Sequence, residues 1–161
     1  MDTNDDVFNQ IIGITLSNEG GYVNNPNDSG GETNYGITKR SYPNIDIRNL
    51  SKNDAINIYK RDFWDPHPFD QIQDDGICQK LFDMSVNMGY SQAAKLLQRA
   101  QGSLTVDGVL GPLSIQAINS SDPSYLLSQF KNTIVKFYTN LVNKNTKDAA
   151  FLNGWIRRAN Q

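Results

Sequence analysis

The sequence has too few cysteines and histidines for a disulfide framework or a metal cluster. Cys78 is the only cysteine and His67 the only histidine among 161 residues. One cysteine cannot form an internal disulfide, so burial of apolar side chains must hold the fold together. Cys78 lies in the apolar pattern of a predicted helix, which favours a buried thiol over a nucleophile. His67 stands between prolines and is predicted to lie in a surface turn. With one cysteine and one histidine in the chain, we expect neither a bound metal nor another cofactor.

Long apolar runs are also missing. No run approaches the roughly 18 residues of a membrane span, and the first six residues include three aspartates where a secretory signal carries positive charge. We therefore expect no transmembrane segment and no signal peptide, with synthesis in the cytoplasm. If the substrate is the cell wall, either another factor carries the protein across the membrane or a signal has been trimmed from this sequence.

The charges give little support for a nucleic-acid partner. The formal net charge is -2, with 14 acids and 9 bases in residues 1–100 and 3 acids and 6 bases thereafter. Nucleic-acid-binding proteins usually concentrate basic residues in one stripe with interleaved aromatics, and no such stripe is present. We expect no nucleic-acid partner, and we expect a monomer.

The dominant period of the apolar residues is helical, which predicts a mainly α fold. Hydrophobic residues make up 38% of the chain, enough to bury a core. Glycine pairs, Asx-Pro dipeptides and a capping box of Ser51 with Asp54 punctuate the pattern. Helices are predicted at about residues 7–19, 51–64, 77–88, 91–100 with Ser91 as the cap, 113–118 and 123–141, followed by an apolar segment at 151–155.

Residues 22–38 form the least helical stretch. They combine a dense cluster of turn residues with short apolar flanks, which predicts a long loop or a small β-hairpin. The expected fold class is therefore mainly α, with one small β-hairpin or loop lobe.

Glu19 is the first candidate for chemistry. It extends the apolar face of the first helix by one turn beyond Leu16, just before Gly20. A carboxylate there is expected to be partly desolvated, which favours the protonated form that a general acid needs. The alternative is that Glu19 only accepts hydrogen bonds from the following loop.

A second group is expected in the turn-rich stretch. Glycoside hydrolysis usually needs another carboxylate, or a positioned water, across the scissile bond from the acid. Asp28 lies nine residues after Glu19, and Thr33 lies five further on. Both are candidates, although Asp28 could instead form an Asx-turn with Ser29 and Gly30.

These residues belong to a run that resembles a known signature. Residues 19–38, read as EGGYVNNPNDSGGETNYGIT, are similar to the signature of glycoside hydrolase family 108, the lysozyme-like muramidases of phages and bacteria once labelled secretion activators. The likeness continues through YKRDFWDP at 59–66, LFDMSVNMG at 81–89, LLQRA at 96–100 and VDGVLGP at 106–112. The last two segments resemble the type 3 peptidoglycan-binding region that accompanies this family.

The resemblance implies a lysozyme-like helical fold and cleavage of the β-1,4 bond between N-acetylmuramic acid and N-acetylglucosamine in the glycan strands of peptidoglycan. The catalytic glutamate of the family falls on Glu19, and a glutamate at a helix end with Asp28 and Thr33 in a β-lobe is the layout of phage-type lysozymes. It also implies a catalytic region at 1–90 and a peptidoglycan-binding region at 91–161, which we expect to pack as one compact domain. Such a bacteriolytic enzyme, like a phage endolysin, acts on the cell wall.

Other residues are weaker candidates for sugar contacts. Tyr35, Tyr59 and Trp64 could stack on sugar rings, although an aromatic at the end of a helix stripe more often belongs to a core. Asp83 and Asn87 lie four apart on one helical face and could border the cleft, although an inward aspartate can simply satisfy a buried group.

Two other classes of protein fit the same sequence. One is a peptidoglycan-binding or scaffold module that has kept a lysozyme shape without turnover, and the other is a helical adaptor without a sugar ligand. Glu19 argues against the first, because a pure binder needs no acid at that place.

Overall fold

The computed structural model describes residues 4–27 and 30–161, and it divides the chain into two compact units, Met1–His67 and Pro68–Gln161. The mainly α fold class with a small β lobe is confirmed. No helix of the described part of the chain is long and apolar enough to cross a membrane. The division predicted from the resemblance, at residue 90, stays a prediction.

The first unit combines helices α1 (Asn4–Glu19) and α2 (Lys52–Tyr59) with strands β1 (Val23–Asn24), β2 (Glu32–Asn34) and β3 (Ile37–Thr38). The strands form one antiparallel sheet in the order β1-β2-β3, so the small β lobe predicted as a loop or hairpin contains three strands. The capping box predicted at Ser51 and Asp54 is present. After α2 the chain continues as a π-helical turn, Lys60–Trp64.

The core of the first unit is formed by the apolar stripe of α1 with residues that follow the sheet. Phe8 packs its ring against Trp64, with the centroids 5.4 Å apart. The buried amide of Asn34 donates to the carbonyls of Ile47 and Leu50, at 3.1 and 3.5 Å, and so attaches the sheet to the loop before α2. The buried apolar residues are Phe8, Ile11, Ile12, Leu16, Ile37, Ile47, Leu50, Ala55, Ile58, Tyr59 and Trp64.

The second unit contains helices α3 (Asp75–Met88), α4 (Tyr90–Gln101), α5 (Pro112–Ser120), α6 (Pro123–Lys144) and α7 (Leu152–Ala159). Short 3-10 turns, Phe69–Gln71 and Thr146–Phe151, precede α3 and α7. Asp122 caps α6 as the Asp-Pro dipeptide predicts, by accepting from the backbone N–H of Tyr125. The prediction of Ser91 as a helix cap was wrong, because α4 begins at Tyr90 and the cap position is taken by Gly89, two residues earlier.

Cys78 is fully buried in this unit, and its Sγ donates to the carbonyl of Phe69 at 3.3 Å. Burial raises the pKa of the thiol to about 12, so the prediction of a structural rather than nucleophilic cysteine is confirmed. Gln98 is the second buried anchor. Its side-chain amide donates to Val109 and accepts from the N–H of Gly108, which fixes the loop between α4 and α5.

Candidate active site

Glu19 is the last residue of α1, and its side chain is half-buried. Gly20 ends the helix with a φ of 77°, the left-handed conformation that glycine adopts without steric cost. The apolar stripe of α1 continues into the core as far as Leu16, one turn earlier. The carboxylate therefore stands at the rim of the core, as the periodicity of the sequence predicts.

The turn between β2 and β3 lies directly against Glu19. Asn34 pairs with Ile37, which leaves Tyr35 and Gly36 as a two-residue turn in which both φ angles are positive, 53° and 78°. Type I′ hairpin turns require this pair of angles. A Cβ placed on Gly36 would lie only 2.8 Å from Oε2 of Glu19, so only a glycine fits between the turn and the carboxylate.

Tyr59 holds the turn from the other side. Its hydroxyl donates to the carbonyl of Tyr35 at 2.7 Å and would lie 2.5 Å from a Cβ on Gly36. The end of α1, the hairpin turn and the last residue of α2 therefore meet at one point. This arrangement limits the space open to the Glu19 side chain on the side of the turn.

The predicted aromatic residues have different places in this unit. Tyr35 is half-buried at the hairpin turn. Tyr59 and Trp64 are each only 1% exposed and belong to the core, so neither ring is open to stack on a sugar. The prediction that these two rings stack on sugars is wrong, and Tyr59 instead donates a hydrogen bond to the turn beside Glu19.

Of the two candidates for the second catalytic group, the structure describes Thr33. Thr33 is half-buried in β2 and pairs with Val23 on one side and Thr38 on the other. Asp28 lies outside the described residues. His67 is half-buried, and burial lowers the pKa of its imidazole.

Glu32 is another carboxylate of the lobe, and its contacts are structural rather than catalytic. Its Oε1 accepts a hydrogen bond from the Tyr22 hydroxyl at 2.9 Å, which raises the pKa of Tyr22. The guanidinium of Arg48 lies 5.8 Å from the centre of the Tyr22 ring. Side chains alternate between the two faces of a strand, so Glu32 and Asn34 lie on one face of β2 and Thr33 lies on the other. The sequence alone does not give this arrangement, because it requires that residues 32–34 be known to form a strand.

Asn87 and Asp83 lie in the second unit, where both take part in one hydrogen-bonded network. Asp83 is buried and forms a bidentate ion pair with Arg158, at 2.8 and 3.0 Å. The amide of Asn87 donates to the hydroxyl of Tyr138, and its oxygen accepts from Arg158 at 3.5 Å. Asp83 therefore has a structural role, as a partner of a buried cation, and does not border a cleft.

Comparison with known proteins supports the resemblance over nearly the whole chain. Residues 12–89 match the family model described as Glycosyl hydrolase 108, and residues 92–160 match the model described as Predicted Peptidoglycan domain. A solved structure entitled "Structure of Brucella abortus SagA" is similar with a TM-score of 0.78 and 24% identity, over 97% of this chain and 91% of that one. The search of curated proteins gives no match.

Proposed function

Since this chain belongs to glycosyl hydrolase family 108 and continues into a peptidoglycan domain, we propose that it is a lysozyme, an N-acetylmuramidase of peptidoglycan. It cleaves the β-1,4 bond between N-acetylmuramic acid and N-acetylglucosamine and so acts on the cell wall. The two matched regions support a glycosidase whose polymer is peptidoglycan.

The observation that carries the proposal is the enforced position of Glu19. A general acid must present its proton to the glycosidic oxygen in a fixed direction. Glu19 is half-buried, at the end of the helix face that packs into the core, and the Gly36 turn closes on its carboxylate. In the reaction Glu19 protonates the departing oxygen, while a water attacks the anomeric carbon from the opposite side of the sugar ring.

A zymogram with purified cell walls, followed by mass spectrometry of the fragments, tests the proposal. A muramidase clears the gel and leaves fragments that end in reducing N-acetylmuramic acid. Retention on walls without clearing would favour the non-catalytic binding module, and neither clearing nor retention would favour the adaptor. Fragments that end in reducing N-acetylglucosamine would contradict the proposed bond.

We expect Gly36→Ala to reduce hydrolysis by at least roughly tenfold. The new Cβ would meet the Glu19 carboxylate and the Tyr59 hydroxyl, and a misplacement of about 1 Å can cost as much as a hundredfold in rate. The positive φ adds a stability cost of about 1–2 kcal/mol. Turnover per folded molecule and the free energy of unfolding are both measured.

Gly102→Ala is the matched control for Gly36→Ala. Gly102 also has a positive φ, 93°, but a Cβ there would meet no atom within 4 Å. This variant should lose a similar amount of stability and keep its turnover. If Gly36→Ala keeps wild-type turnover per folded molecule, the turn does not position Glu19.

For the water side of the reaction we propose Asp28, with Thr33 helping to hold the attacking water. Asp28→Asn should lower turnover by roughly a hundredfold or more, while Asp46→Asn, an exposed aspartate that bonds Asn49, should change it little. The long glycine-rich sequence of this loop favours a wide separation of the two carboxyls with a water between them, and that arrangement gives inversion. A first product with the β anomeric configuration, detected by NMR, would contradict inversion.

A further inference from the structure

A groove of about 490 Å³ lies between α4 and α6 of the second unit. Arg99, at the end of α4, lies on one wall, and Lys136 and Lys144, from α6, lie on the other. Phe137 and Leu141 supply apolar surface. We refer to this site as the cationic groove.

The groove exists because of how the two helices meet. Lys136 and Lys144 are eight residues apart on α6 and so share a face of the helix. The Thr133 hydroxyl donates to the carbonyl of Leu96 at 3.0 Å, which ties α6 to α4 one turn before Lys136. Ala100, with its small side chain, leaves the space beside Arg99 open.

The charge of the groove has one sign. Each charged side chain that lines it is basic. Within residues 4–27 and 30–161, none of these three cations forms an ion pair with a carboxylate, and all three are exposed. The site is concave, its cations lack counterions, and one side of it is apolar. These properties suit a ligand that carries an anionic group on an apolar chain.

We propose that the cationic groove binds the stem peptide of peptidoglycan through its free carboxylates, an inference that rests on the proposed function. The groove lies within the part of the chain that matches the peptidoglycan domain. Glycan strands present hydroxyl and acetamido groups, and their lactyl carboxyls are taken up in amide bonds to the peptide. The negative charge is therefore on the stem, whose alanine methyls and methylene chains suit Phe137 and Leu141. A groove of this volume lies within the range of small-ligand sites.

Titration calorimetry of the full chain with a synthetic stem tetrapeptide tests the inference. The tetrapeptide with free carboxylates should bind, and its affinity should fall as salt is raised. The same peptide with every carboxyl converted to carboxamide should bind at least roughly tenfold more weakly, because the charge pairs are lost. A neutral chitotetraose should not compete for the groove.

The test variant is Arg99→Glu with Lys136→Glu, and we expect it to lose at least roughly tenfold in affinity for the charged peptide. Lys147→Glu with Arg157→Glu is the matched control. It makes the same change in net charge at two exposed residues of the same unit that do not line the groove, and it should keep its affinity within about twofold.

Equal binding of the charged and amidated peptides, unchanged affinity in Arg99→Glu with Lys136→Glu, or competition by chitotetraose would overturn the inference. Hydrolysis of a soluble glycan without peptides distinguishes a failure of this inference from a failure of the proposed function. The groove variant should keep that activity. Wild-type protein that binds the peptide but hydrolyses no glycan would contradict the muramidase proposal alone.

Discussion

Glu19→Gln should lower the hydrolysis of cell walls by at least roughly a hundredfold, because the amide keeps the size of the side chain but has no acidic proton to give. The loss corresponds to about 2.7 kcal/mol of transition-state stabilisation. Since the side chain is only half-buried at the end of α1, the variant should fold and still sediment with purified sacculi. Turnover, sedimentation and melting temperature are measured together.

Glu32→Gln is the matched control for Glu19→Gln. It makes the same chemical change in the same unit, at a glutamate whose carboxylate accepts a hydrogen bond from Tyr22, and it should retain most of the turnover. Undiminished hydrolysis by folded Glu19→Gln would overturn the catalytic assignment and favour the binding module. A lowered melting temperature with turnover retained per folded molecule would mean that Glu19 only accepts structural hydrogen bonds.

Arg158→Met should destabilise the protein by about 3–5 kcal/mol, because it removes one partner of a buried ion pair. The side chains of Arg158 and Asp83 are 12% and 3% exposed, and the guanidinium bonds both carboxylate oxygens. The pair joins α7 to α3 across 75 residues of sequence. The same variant also loses the bond to Asn87.

Arg157→Met controls for the loss of an arginine from the same helix. Arg157 is exposed, so the free energy of unfolding, measured in urea, should change by about 0.5 kcal/mol or less. Asp83→Leu combined with Arg158→Met should recover much of the loss, since a buried pair can often be replaced by apolar residues. A loss below about 1 kcal/mol for Arg158→Met alone would contradict a stabilising role for the pair.

The local pattern of residues was sufficient to predict most of the helices and the place of Glu19. The caps at Ser51 and Asp122, the helix end at Gly20 and the burial of Cys78 depend on neighbours within a few positions along the chain. Such features are governed by local hydrogen bonding and by which face of a helix is apolar. The role of the aromatic residues was harder to predict. The apolar face of a helix indicates that its rings are buried, but not whether the ring at the end of that face stays open to a ligand.

The sequence by itself determined which segments are helical, which residues face inward and which carboxylate ends the first apolar stripe. Only the tertiary structure decided that the Gly36 turn closes on Glu19, that Trp64 packs on Phe8, that Arg158 pairs with Asp83, and that Arg99 faces the lysines of α6. The physical reason is that periodicity specifies a face of each element but not the surface that covers it. That choice depends on packing between residues distant in sequence, which no local pattern encodes.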